Sequence, residues 1–126
     1  MPNSAEKKHV FISYSRKDTK VMKRVVAFLE SKGFDVWVDN KGLIPGTSDW
    51  ERAIEEAIIS CGAVVSLMSP DSSASIWVRR ELDFSDKYKK KIFPLLVGGN
   101  EKTSTTLRMT THQFVDIRKK EDEEEE

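Results

Sequence analysis

The run Ala63-Val64-Val65-Ser66-Leu67-Met68 is apolar at nearly every position and does not alternate between apolar and polar residues. A strand with one face in water alternates, whereas a strand covered on both faces is apolar throughout, as in a parallel sheet between two layers of helices. Gly62 precedes the run and Ser69-Pro70 follows it, which limits it to the length of a strand. The run therefore predicts a buried strand of an α/β fold.

Further strands and helices alternate on both sides of this run. Four short segments have the β-branched and aromatic composition of strands: His9–Tyr14, Phe34–Val38, Ile92–Val97 and Phe114–Ile117. Between them, apolar residues recur at spacings of three and four, which predicts helices with one buried stripe. These helical segments are Val21–Leu29, ended by Gly33, then Trp50–Cys61, which follows a capping box Ser48-Asp49-Trp50-Glu51, and Trp77–Tyr88. The order predicts a flavodoxin-like, doubly wound sheet of five parallel strands, 2-1-3-4-5, with helices on both faces.

The remaining segments read as loops. Two glycines and a proline break any periodicity in Asp39–Gly46, and Ser69–Ser73 is predicted to be a turn that offers helix N-caps. Residues 98–113 are poorly patterned, with at most one helical turn around Leu107.

The length of 126 residues predicts one domain. We expect an N-terminal tail over residues 1–8 and the domain over residues 9–118. Residues 119–126 are almost wholly acidic, which predicts the start of a truncated last helix or a tail, because carboxylates favour helix N-termini. We therefore expect further domains in a longer parent protein.

Composition narrows the class of protein. Lys and Arg total 21, as do Asp and Glu, so the formal net charge is zero, which argues against a nucleic-acid partner. No run approaches the ~20 apolar residues that span a bilayer, so no membrane association is expected. Cys61 is the single cysteine, which excludes an internal disulfide and favours a cytoplasmic location.

Ligands of an open parallel sheet bind at the carboxyl ends of its strands, so the loops after the strands are the predicted site. Gly42 and Gly46 are wrongly spaced for a dinucleotide turn or a phosphate loop. His9 and His112 lie far apart, and no metal-ligand spacing is present. Ser13 and Ser66 lie in strands without the glycines of a nucleophile elbow, so none of these standard sites is predicted.

The third helical segment carries Trp77 and Glu81 four residues apart, and therefore on one face. Spacing alone favours Trp77 as a packing residue and Glu81 as a surface carboxylate paired with Arg79, Arg80 or a lysine. Spacing alone does not indicate an enzyme.

A set of short motifs, in order along the chain, carries a resemblance to a known family. They are Val10–Asp18, Gly33–Asp39, Leu43-x-x-Gly46, Ala57-Ile58-x-Ser60, Val65–Pro70 and Ser75-x-Trp77-Val78-x-x-Glu81-Leu82. Together they resemble TIR domains, the Toll/interleukin-1 receptor and resistance-protein module. The form Pro45–Glu51 is most similar to bacterial-type members.

The resemblance implies one of two functions. Some TIR domains cleave the nicotinamide–ribose bond of NAD, as substrate and without a cofactor, and in these a glutamate at the position of Glu81 is catalytic. The resemblance places the residues of the nucleotide site at Ser15, Arg16, Ile44, Gly46, Trp50 and Trp77. Ile44 stands where some cleaving members have a glutamate. Other TIR domains only self-associate in signalling, so the sequence leaves both an NAD-cleaving enzyme of signalling or defence and a homotypic assembly module open.

The tryptophans receive different predicted roles. Trp37 lies in a strand and is expected in the core, whereas Trp50, one turn into a helix beside the Asp39–Gly46 loop, is expected to contact substrate or a partner.

Overall fold

In the computed structural model, residues 8–39, 47–99 and 115–118 are described. The strands are β1 (Val10–Ser13), β2 (Val36–Trp37), β3 (Ala63–Met68), β4 (Ile92–Leu96) and β5 (Val115–Asp116). The helices are α1 (Thr19–Ser31), α2 (Ser48–Ser60), α3 (Pro70–Ala74) and α4 (Ile76–Lys87), and a 3-10 turn, Arg16–Asp18, precedes α1. The predicted tail 1–8, except Lys8, the helical turn around Leu107, the acidic end 119–126 and most of the Asp39–Gly46 loop lie outside the described residues.

All five strands are parallel and form one sheet in the order β2-β1-β3-β4-β5, so the predicted topology is confirmed. Successive residues of β1 and β3 enter two separate cores. One core lies under α2 and α4 and contains Phe11, Val64 and Met68. The other lies under α1 and contains Ile12 and Leu67. Burial on both faces explains why the central strands are apolar throughout.

The second strand is shorter than predicted. Only Val36 and Trp37 pair with β1, because the chain leaves α1 through a turn in which Gly33 has φ 90°. In that turn the amide of Phe34 donates to the carbonyl of Leu29 at 3.1 Å, which keeps Phe34 out of the ladder. Phe34 is consequently exposed.

Two helix starts differ from the sequence prediction. Ser48 does not cap α2; Thr47 does, because its hydroxyl accepts from the amide of Trp50 at 3.3 Å. The predicted turn Ser69–Ser73 contains the short helix α3. There Ser69 and Ser72 form a reciprocal capping box and Pro70 occupies the first turn, where its missing N–H costs nothing.

The described residues leave part of one sheet face uncovered beside α1. A groove of about 750 Å³ runs there, and its large apolar side chains are partly in solvent: Phe28, Phe34, Phe93 and Val115. Within the described ranges, no helix is both long and apolar enough to cross a membrane.

Candidate active site

The residues Tyr14–Lys17, after β1, and Asp39, after β2, meet the start of α4 at the carboxyl edge of the sheet, as the topology predicts. They enclose a hollow of about 260 Å³. Five of the predicted site residues line this hollow together: Ser15, Arg16, Trp50, Trp77 and Glu81. Ile44 and Gly46, the other two, lie outside the described residues.

Glu81 extends from α4 toward the end of β1. Its Oε1 accepts a hydrogen bond of 2.8 Å from the hydroxyl of Ser13, which is fully buried. The surface pairing of Glu81 with Arg79, Arg80 or a lysine, favoured by spacing alone, is therefore wrong. The reason is that α4 packs its Val78–Leu82 face onto the sheet and carries Glu81 inward beside it.

The pKa of Glu81 is raised from 4.5 to about 8, first by burial and then by the negative charge of Asp39. The Ser13 hydrogen bond and the charge of Arg16 act in the opposite direction. A carboxyl group that titrates near neutral pH in a cleft is typical of functional sites, because structural carboxylates usually ionise far below it.

Arg16 and Asp39 form the outer wall of the hollow. Ser15 caps the 3-10 turn by accepting from the amide of Lys17, which sets the direction of Arg16. The Nη2 atom of Arg16 lies 3.0 Å from Oδ2 of Asp39. The Arg16 side chain is 56% exposed and that of Asp39 is 15% exposed, so the guanidinium is open to a ligand from solvent.

Trp50 and Trp77 form an aromatic wall. Their rings meet edge to face, with centroids 4.5 Å apart, and the Trp50 Nε1–H donates to Asp39 Oδ2 at 2.6 Å. The Arg80 guanidinium lies 4.8 Å from the Trp77 ring centroid.

The predicted division between the tryptophans is wrong. Trp50 is only 3% exposed and belongs to the core, whereas Trp37 is partly buried at the outer strand β2. The cause is that α2 directs Trp50 inward against Trp77 and Asp39, while β2 has a neighbouring strand on one side only.

A further hydrogen bond joins the residues after β3 to the 3-10 turn. The Ser69 hydroxyl, in the loop after β3, donates to the carboxylate of Asp18, at the end of the 3-10 turn. Burial raises the pKa of Asp18, and the Ser69 hydrogen bond opposes that rise. This contact fixes the turn that carries Arg16 to the sheet.

Sequence reasoning missed Ser13, Tyr14 and Asp39 as parts of the site. Ser13 and Glu81 are 68 residues apart, so no local spacing reveals their contact. Tyr14 lines the hollow, and its pKa is raised mainly by burial. Asp39 did carry a signal, because it follows directly on a strand whose carboxyl end faces the site.

The comparisons with known proteins agree with the fold. The model of the TIR domain family matches residues 10–126, and the chain therefore belongs to the TIR domain family. A search of curated proteins finds no match.

Solved structures show the same fold at low identity. The TIR domain of the Toll-related receptor TRR-2 from Hydra magnipapillata is 22% identical, with 87% of this chain and 84% of that chain covered and a TM-score of 0.74. A metazoan TIR-STING receptor from C. gigas is 23% identical over 94% of this chain and 37% of that chain, with a TM-score of 0.72. The CMP N-glycosidase BcmB from Clostridium botulinum is 24% identical over 94% and 93%, with a TM-score of 0.63.

Proposed function

We propose that this TIR domain cleaves the nicotinamide–ribose bond of NAD and releases nicotinamide, in a signalling or defence protein. Capture of the ribose by water gives ADP-ribose, and capture by a hydroxyl or the adenine of the same molecule gives a cyclic ADP-ribose. The observation that carries the proposal is the Glu81 carboxyl group, held by Ser13 at the wall of a hollow that Arg16, Trp50 and Trp77 also line.

Cleavage of an N-glycosidic bond builds positive charge on the ribose, as in glycoside hydrolysis. A carboxylate beside the ribose opposes that charge and therefore binds the transition state more tightly than the ground state. Nicotinamide is already a good leaving group, so the reaction does not require a strong general acid. One carboxylate in the role of Glu81 is sufficient.

The charge state of Glu81 suits a cationic substrate. With a pKa of about 8, the group is largely protonated at neutral pH in the free domain. A positive charge within a few ångströms favours the carboxylate form, and the nicotinamide ring of NAD carries one. Substrate binding would thus generate the form of Glu81 that the chemistry needs.

The size of the hollow, as the described residues line it, favours the binding of half of the substrate. About 260 Å³ is below the ~300–1,000 Å³ of cavities that enclose a whole drug-sized ligand. The nicotinamide–ribose half would lie against Trp77 and Glu81, and the diphosphate would leave the hollow past Arg16. Arg16 has five N–H donors in a planar fork, which suits phosphate oxygens.

The CMP N-glycosidase supports the reaction class, because that protein also breaks a nucleotide N-glycosidic bond. Nucleoside monophosphates are therefore the natural second substrates to assay.

The test is nicotinamide release. Concentrated domain is incubated with NAD and the product is separated by chromatography. Glu81→Gln keeps the shape of the side chain and removes its charge, so the rate should fall by about 10²–10³. Glu56→Gln, an exposed carboxylate of α2 outside the hollow, is the matched control and should keep the wild-type rate. Equal rates for Glu81→Gln and wild type would refute the assignment.

Homotypic assembly is the second candidate function and is compatible with the first. The groove beside α1 favours it, because Phe93 in β4 is 45% exposed and Val115 in β5 is 58% exposed within one continuous apolar surface. We infer that a second copy of this chain is the occupant, since a chain with zero net charge does not repel its copies.

Sedimentation velocity over a concentration series tests this association. Phe93→Lys should abolish a concentration-dependent rise in sedimentation coefficient. Ile59→Lys, which changes a side chain of 44% exposure on α2, should leave it intact. Association that persists in Phe93→Lys would show that the groove is not the interface.

A further inference from the structure

One carboxylate oxygen links two walls of the hollow. Oδ2 of Asp39 accepts from Trp50 Nε1–H at 2.6 Å and from Arg16 Nη2–H at 3.0 Å. Charge-assisted hydrogen bonds of this kind are roughly twice as strong as neutral ones. The side chain of Asp39 is 15% exposed, so solvent competes only weakly for either donor.

The two donors come from distant parts of the chain. Arg16 lies 23 residues before Asp39, in the turn after β1, and Trp50 lies 11 residues after it, in the first turn of α2. Asp39 itself follows β2 and the buried Val38. The end of one strand thus fixes the turn after its neighbour and the start of a helix.

We propose that Asp39 is a positioning residue of this site, which holds the Arg16 guanidinium at the mouth of the hollow and the Trp50 indole against Trp77. This inference rests on the proposed function for its catalytic consequence, and on the hydrogen bonds alone for its structural part. Asp39 does not have to touch the substrate to act.

The same negative charge acts on Glu81. Asp39 is among the groups that raise the pKa of Glu81, and Arg16 lowers it. The polar and charged groups around Glu81 come from every element that borders it: Ser13 and Tyr14 from β1 and its end, Arg16 and Lys17 from the 3-10 turn, Asp39 from the end of β2, Glu51 and Glu55 from α2, and Arg80 from α4 itself. Of these, Ser13, Asp39 and Arg16 shift the pKa of Glu81.

Asp39→Asn tests the effect of the Asp39 charge separately from the effect of its side-chain shape. Asparagine keeps an oxygen that accepts from Trp50 and Arg16, but it carries no charge. Arg16 then faces Glu81 without its counter-charge. Both changes favour the Glu81 carboxylate. Asp35→Asn, an exposed carboxyl group just before β2, is the matched control.

The first measurement needs no activity. In protein labelled with ¹³C at the glutamate carboxyl carbon, the Glu81 resonance is assigned with Glu81→Gln and followed over pH. Its titration midpoint should move to lower pH in Asp39→Asn and stay in place in Asp35→Asn. The Trp50 indole N–H resonance should shift upfield, because its partner is no longer charged. An unchanged Glu81 midpoint would overturn the proposal.

The second measurement is kinetic. Asp39→Asn should raise the KM for NAD by about tenfold, because a neutral amide oxygen holds the Arg16 guanidinium more weakly than a carboxylate does, while kcat at the optimal pH should change less. A loss confined to kcat would contradict a positioning role. If wild type releases no nicotinamide, the proposed function is wrong. The carboxyl titration still tests the positioning role of Asp39, because it does not depend on activity.

A substitution of Arg16, the more exposed member of the Arg16–Asp39 pair, tests the proposal if Asp39→Asn does not fold. Arg16→Gln changes a side chain that is 56% exposed and leaves the core intact. It removes the positive charge that lowers the pKa of Glu81, so the Glu81 midpoint should rise. A midpoint that stays at the wild-type value would exclude the coupling through this pair.

Discussion

Glu81 occupies a position where its neutral form is favoured over its charged form. Its pKa of about 8 stands well above the ordinary 4.5, with burial as the largest cause. The folded protein consequently binds more protons than the unfolded chain between those two values. By linkage, the free energy of unfolding falls as pH rises through that window and becomes constant above it.

Glu81→Gln should remove this pH dependence. The variant carries no titrating group at the position, so its stability relative to wild type should increase from pH 4.5 to about 8. Urea denaturation at pH 5 and pH 9 measures the difference, with Glu56→Gln as the control. If the stability of Glu81→Gln relative to wild type is the same at both pH values, the buried protonated state assigned to Glu81 is wrong.

The two tryptophans should differ in the sense opposite to the sequence prediction. Trp50 is 3% exposed and packs in the core under α2, so Trp50→Ala should lower the free energy of unfolding by about 3–5 kcal/mol. Trp37 is partly buried and stacks on Phe11 with ring centroids 5.1 Å apart, so Trp37→Ala should cost less. Chemical denaturation of both variants compares them, and a greater loss for Trp37→Ala would contradict this ranking.

At the scale of single elements, the short helix α3 depends on its cap. The Ser69 hydroxyl accepts from the Ser72 amide at 3.1 Å and also donates to Asp18, so it joins α3 to the turn before α1. Ser69→Ala should cost about 0.5–2 kcal/mol, the usual loss for a helix N-cap. Ser31→Ala, at the exposed end of α1, is the control and should cost less. Thermal unfolding measures both, and equal losses would show that Ser69 contributes no more than a surface serine.

The helices and strands also show how much of the fold and of the site could be predicted from the local sequence. The strand order could be predicted, because runs such as Ala63–Met68 are apolar on both faces and the helices between strands have clear stripes. The start of α3 could not, since Ser69-Pro70 suits a turn and a helix cap equally. The contact between Ser13 and Glu81 joins residues 68 apart, so only the folded chain reveals it. The role of Trp50 was predicted wrongly because its position in a helix does not show that its ring packs into the core.

At the scale of the whole molecule, the site and the apolar groove lie on different parts of the surface. The groove runs along α1 and the sheet face formed by β1, β3, β4 and β5, whereas the hollow lies at the carboxyl ends of β1 and β2, against α2 and α4. Association through the groove therefore leaves the hollow open to NAD.

Catalysis and assembly should be coupled through β1, because this strand carries Val10 in the groove and Ile12 in the hollow. We predict that nicotinamide release per molecule rises from micromolar to near-millimolar protein, and that Phe93→Lys removes the rise. Initial rates over the two series measure this. A wild-type rate per molecule that does not change with concentration would mean that one chain holds a complete site. The predicted coupling of assembly to catalysis would then be wrong.

The central claim is that Glu81, in its carboxylate form, carries the cleavage of NAD. Its most direct test is the initial rate of nicotinamide release as a function of pH, for wild type and Glu81→Gln at equal concentration. Because the pKa of Glu81 is about 8 in the free domain, kcat/KM of wild type should increase toward alkaline pH through that region. Glu81→Gln should be lower by about 10²–10³ and lack this rise. The same pH-dependent release from both proteins would contradict the claim.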